Sequence, residues 1–110
     1  MGESPTLHAM ADVYTLLVQV GRAEGDGLPE GTTGAALLCY ASGRDEKNAV
    51  DETVNVLRQA DMSVLEVESY GARSEREAAG EEIGAEDAAL MDRALDENAV
   101  IVAQVTTFTD

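Results

Sequence analysis

The sequence predicts an α+β fold, a two-layer sandwich with two helices on one face of a four-stranded sheet. Three observations predict it. A strand–helix–strand pattern runs from Ala35 to Tyr70, and a helix–strand pattern from Glu86 to Phe108 echoes its second half. The chain has 110 residues, 45% of them hydrophobic, which suits one domain with one core. Aromatic residues make up only 4%, so that core must be aliphatic.

The domain is expected to span 12–110, with 1–11 as a loose tail that carries His8, the only histidine. Val13–Val20 (VYTLLVQV) is rich in β-branched and aliphatic residues and reads as a strand. Both of its faces are largely apolar, so both should be covered. Residues 21–34 hold five glycines and Pro29 among acidic residues and form a loop. The loop lacks a P-loop lysine and does not run into a helix, so it is not a phosphate loop. It joins the first strand to a second, Ala35–Ser42, as a wide hairpin.

Asp45 can cap a helix that runs to Gln59, because its carboxylate can accept from the free N–H groups of the first turn. Ala49, Val50, Thr53, Val54, Leu57 and Ala60 form that helix's apolar stripe. Ser63–Tyr70 returns to a period of two, with Leu65 and Val67 on one side and Glu66, Glu68 and Tyr70 on the other. Ser74 and Glu77 fit a capping box, which predicts a short helix over Glu75–Ala79 that ends at Gly80. A longer helix over Glu86–Asp96 buries Leu90, Met91, Ala94 and Leu95, and Asn98 suits a left-handed helix end. Ala99–Phe108 is the last strand. The resulting order resembles the ferredoxin-like architecture, with one extra strand before the first crossover. A fifth, short strand within Glu77–Ile83 would restore the usual order. The resemblance implies no function, because that architecture hosts many.

Composition narrows the function classes. Seven basic residues face 22 acidic ones, a net charge of −15. Nucleic acid and anionic membrane surfaces both require clustered positive charge, so neither is an expected partner. The acidity reads as a solvated surface, or as a face for a basic protein partner. A single cysteine, Cys39, excludes an intramolecular disulfide and a Cys-based zinc site. No metal or cofactor motif is present, and no apolar run reaches membrane-spanning length. A cytoplasmic location is expected.

Cys39 sits mid-strand and reads as a small buried hydrophobe. With no histidine in the core segments, Cys-His and Ser-His-Asp catalysis are not expected. Glu66, Glu68 and Tyr70 are the catalytic candidates. Carboxylates at i and i+2 on a strand lie about 7 Å apart and could hold a cation, or one could act as a general base. The same residues also fit a charged edge that blocks aggregation. Tyr40, Arg73 and Arg76 are the ligand-binding candidates, since arginine forks suit oxyanions.

Two helices on one face would leave the second sheet face bare. Either a second copy covers it, through Tyr14, Leu16 and Val18, or loops 21–34 and 71–84 fold over it. The leading expectation is a homodimeric structural or protein-binding module without catalysis. The alternative is a small-molecule binder or cofactor-independent enzyme, with a pocket between the open sheet face and segment 71–84.

Overall fold

Strands β1 (Asp12–Gly21) and β2 (Gly34–Gly43) form the centre of the sheet in the computed structural model, which describes residues 11–109. They pair antiparallel without a register break from Asp12↔Gly43 to Val20↔Ala35. Strand β3 (Ser63–Ala72) adds to the outer side of β1, and β4 (Val100–Phe108) to the outer side of β2. The order is β3-β1-β2-β4, and every neighbouring pair is antiparallel. Both β2 and β3 run against β1, so they run parallel to each other with β1 between them. The predicted crossover is therefore a split one. The expected tail over 1–11 lies, apart from Ala11, outside the described residues.

Helix α1 (Glu46–Gln59) follows β2, and Asp45 caps it by accepting the Asn48 N–H at 2.8 Å, as the sequence predicts. A short helix α2 (Arg73–Ala78) follows β3 directly, and α3 (Ala85–Glu97) leads into β4. Asn98 ends α3 in the left-handed conformation, with φ 50°. Helix α2 starts before its predicted cap. Glu75 reaches back to the Ala72 N–H at 3.0 Å, whereas the Ser74 hydroxyl donates to Asp12 on β1. Segment 77–83 contains the end of α2 and a turn, and no fifth strand.

The helices lie on opposite faces, which corrects the expectation that both cover one. Ala49 and Leu57 of α1 pack with Leu16, Val18, Val20, Leu37 and Cys39. Met91 and Ala94 of α3 pack with Val13, Tyr40, Leu38 and Ile101. Neighbours along a strand point to opposite faces, so these two sets lie on the two sides of one sheet. Both faces of β1 and β2 are apolar, and one helix on each side removes more of that surface from water than two on one side would. Full burial of Leu16 and Leu37 contributes about 1.5–3 kcal/mol each. The ferredoxin-like resemblance does not extend to this layering, since α+β folds of that type segregate their helices to one face. The observed class is an α+β domain with an open, four-stranded antiparallel sheet and three helices among the described residues.

Two close approaches fix the centre. A Cβ on Gly34 would lie 2.5 Å from the Val20 carbonyl oxygen, and one on Gly43 would lie 2.8 Å from the Ala49 nitrogen of α1. The hairpin loop 21–34 is ordered by Arg22 and Asp26. The Asp26 carboxylate accepts from the Ala23 N–H at 2.8 Å, the Leu28 N–H at 2.9 Å and Arg22 Nε at 3.0 Å. Arg22 Nη1 donates to the Thr32 carbonyl at 2.7 Å. These bonds seat Leu28 against the core beneath α1. Loop 21–34 thus extends the cover of the α1 face, and segment 71–84 helps cover the other.

Candidate functional site

The predicted site residues fall into three places rather than one. Glu66, Glu68 and Tyr70 stand exposed on β3, an edge strand. Glu66 pairs with Gln19 and Glu68 with Leu17, which puts both carboxylates on the α3 side of the sheet. The Tyr70 hydroxyl donates to Glu68 at 3.4 Å, and slight desolvation and that carboxylate raise its pKa. Leu65 does not join Val67 in the core. A register shift between Gln19 and Val20 falls at Leu65, which is left 67% exposed. Among the described residues, no three His, Cys, Asp or Glu side chains gather as a metal-binding group.

Tyr40 and Arg76 are brought together over Thr15, the cross-strand partner of Tyr40. Arg76 Nη1 donates to Thr15 Oγ1 at 2.7 Å, and its Nε donates to Glu81 at 3.1 Å. Arg73 donates to Glu77 at 3.1 Å and to Asp92 at 2.7 Å, tying α2 to α3. Burial, followed by the Asp87 carboxylate, pushes the Tyr40 phenol up to about 12. That phenol stays protonated at neutral pH, as a donor and not a base. The network seals α2 and α3 onto the sheet, and each guanidinium already spends two of its nitrogens on partners within the chain. Arg76 thus reaches from segment 71–84 onto the sheet face, where the alternative reading expects a pocket.

The expected interface residues lie on the α1 face. Leu16 and Val18 are fully buried beneath α1, and half-buried Tyr14 packs against the same core. Leu16 and Val18 offer no surface to a second copy, because α1 already occupies it. Cys39 is buried, and desolvation pushes its thiol up to about 11, out of the range of a ready nucleophile.

Exposed apolar residues cluster on β4. Val102, Val105 and Phe108 are 42%, 51% and 40% exposed. Val102 pairs with Cys39 and Val105 with Leu37, so both valines lie on the α1 face of the sheet. Helix α1 stops short of covering them. Val56 on its flank is 42% exposed and lines a cleft with Val100. The available signal was the composition of β4: nine residues, VIVAQVTTF, without one charge.

Two clefts flank the joint between α3 and β4 and share Ser42 and Asn98. One, of about 240 Å³, adds Asn48 and Glu52 to those two, and the other, of about 550 Å³, adds Ala11, Leu95 and Asp96. No helix among the described residues is long and apolar enough to cross a membrane.

Neither a curated protein nor a solved structure matches the chain. A match over residues 13–109, which takes in every described strand and helix except Asp12 at the start of β1, shows that the chain belongs to the family described as Domain of unknown function (DUF8846).

Proposed function

We propose that this domain is a non-catalytic association module, a homodimeric structural or protein-binding unit that works through the β4 side of its sheet. One observation carries the reading. In a chain with 22 acidic side chains, β4 is an uncharged edge strand with three large apolar residues exposed. Charge is cheap to place on a solvated edge and blocks unwanted pairing there. Its absence along a whole edge fits a surface that is covered in the working protein. The locked state of Tyr40, Arg73 and Arg76 supports the non-catalytic half of the reading.

Light scattering on a column over a hundredfold range of concentration tests the proposal. The expected result is a mass that rises from one copy towards two. A mass of one copy throughout, with no protein partner captured through β4, would reject it.

The second reading, a small-molecule binder or cofactor-independent enzyme, is favoured by the 550 Å³ cleft, which falls within the usual range of ligand pockets. A melting-temperature shift with a compound library, abolished by Asn98→Ala, would support it. Unchanged melting across the library would count against it.

A further inference from the structure

We infer that the occupant of the β4 edge is a second copy of this chain, with the two β4 strands paired antiparallel about a two-fold axis into one continuous eight-stranded sheet. This rests on the association reading above and names its partner and geometry. Among the described residues, β4 pairs only with β2, so its other side presents N–H and C=O groups without a strand partner.

Charge selects the occupant. Each copy carries −15, so repulsion between two copies is least where carboxylates are absent. Strand β4 is such a place, and β3, with Glu66 and Glu68, is not. A basic peptide added as a strand would find no carboxylate on β4 to recognise it. An antiparallel strand pair is also self-complementary, as a two-fold contact requires. The apolar margin formed by Val102 and Val105 beside α1 recurs on the partner, so each copy extends the other's cover.

Register follows from the one irregularity. The pairing with β2 shifts between Leu38 and Cys39, which leaves Ala103 as the extra residue on β4. Beyond it, Gln104–Phe108 pairs regularly with Leu38–Gly34. The midpoint of that regular stretch is Thr106. Centring the axis there sets Thr106 against its own copy, Val105 against Thr107 of the partner copy, and Gln104 against Phe108 of the partner copy. These are β-branched and uncharged pairs that suit a sheet.

Cysteine capture tests the geometry in the full-length chain. Cys39 is buried, so Thr106→Cys would supply the accessible thiol, and paired antiparallel residues lie within disulfide reach. The control is Glu68→Cys on the other edge. Under mild oxidation, Thr106→Cys should yield at least tenfold more covalent dimer than the control. Amides on alternate residues of β4 should also exchange more slowly as protein concentration rises. A dimeric mass with equal capture in both variants, or more in Glu68→Cys, would overturn the edge pairing and leave the association reading standing. A single-copy mass at every concentration would overturn the pairing of two copies, and with no protein partner captured through β4 it would overturn the association reading as well.

Discussion

The two edges of this sheet are built to opposite rules. Strand β3 carries Glu66 and Glu68, and its pairing with β1 breaks register twice, between Tyr14 and Leu16 and between Gln19 and Val20. Strand β4 has one break against β2, no charge, and exposed Val102, Val105 and Phe108. Both strands are of similar length, and among the described residues both have one neighbour. A free edge invites any extended chain to pair with it, and charges and bulges are the usual protection. The chain applies that protection fully on one side and sparsely on the other. The difference teaches that the acidity is distributed rather than uniform, and that its gap coincides with an open backbone edge.

The comparison can be broken most severely by making the edges alike. Glu66→Val with Glu68→Val would give β3 the character of β4. Two adhesive edges per copy no longer close on the proposed pair, so open-ended assemblies should form at concentrations where the parent stops at two copies or fewer. Sedimentation velocity would show this as a broad, fast distribution, and an unchanged single boundary would contradict it. The converse change, Val105→Lys, should weaken dimerisation at least tenfold, since it buries a charge at the pairing edge. Because Val105 is half exposed in the single chain, its melting should move little. A large fall in melting temperature would mean that Val105 serves the fold instead.

Smaller effects sharpen the picture. Arg76→Ala leaves Thr15 without its donor and removes one of the two side-chain bonds that tie α2 to β1, the Ser74–Asp12 bond remaining. A loss of about 1–2 kcal/mol in chemical denaturation is expected, with the mass in solution unchanged. Salt should have a modest effect of distinctive sign. Screening relieves repulsion between two copies at −15, so raising salt should tighten self-association several-fold, whereas docking of a basic partner would weaken.

The smallest effect concerns acid and the hairpin loop. The Ala23 N–H, Arg22 and the Leu28 N–H hold the Asp26 carboxyl at about 2, below its ordinary 3.8. A carboxyl lowered on folding contributes stability above its unfolded pKa and loses it as pH falls through the folded one. That share should therefore be complete above about pH 4 and disappear towards pH 2. Asp26→Asn should flatten this part of the stability profile, and an unchanged acid limb would show that the loop bonds contribute nothing.

Much of the secondary structure was legible in the sequence, because its signals are local. Apolar residues at helical spacing marked α1, the Asp45 cap set its start, and Asn98 marked the end of α3. Errors arose where a distant group intervened. The spacing of Ser74 predicts a cap, but Ser74 donates to Asp12, a residue 62 positions away, and the helix starts before it. Loop 21–34 reads only as glycine-rich and acidic, yet Arg22 reaches across ten residues of it to Thr32. The site candidates suffered most. Glu66, Glu68 and Tyr70 do share a strand, but Tyr40 and Arg76 sit over Thr15 near the sheet centre, and no spacing along the chain announces that separation.

What the sequence determined by itself was the order of elements, the aliphatic core, the doubly apolar central strands and the uncharged last strand. These depend on residue type and on periods of two and 3.6. What only the tertiary structure decided was which face each helix covers and which strands become edges. A helix after a strand can fold back over either side of the sheet, and the chain's local pattern is the same for both. Long-range packing makes the choice. Placing α1 and α3 on opposite faces buries Leu16 and Val18, turns the expected interface into core, and leaves β4 with an open apolar margin.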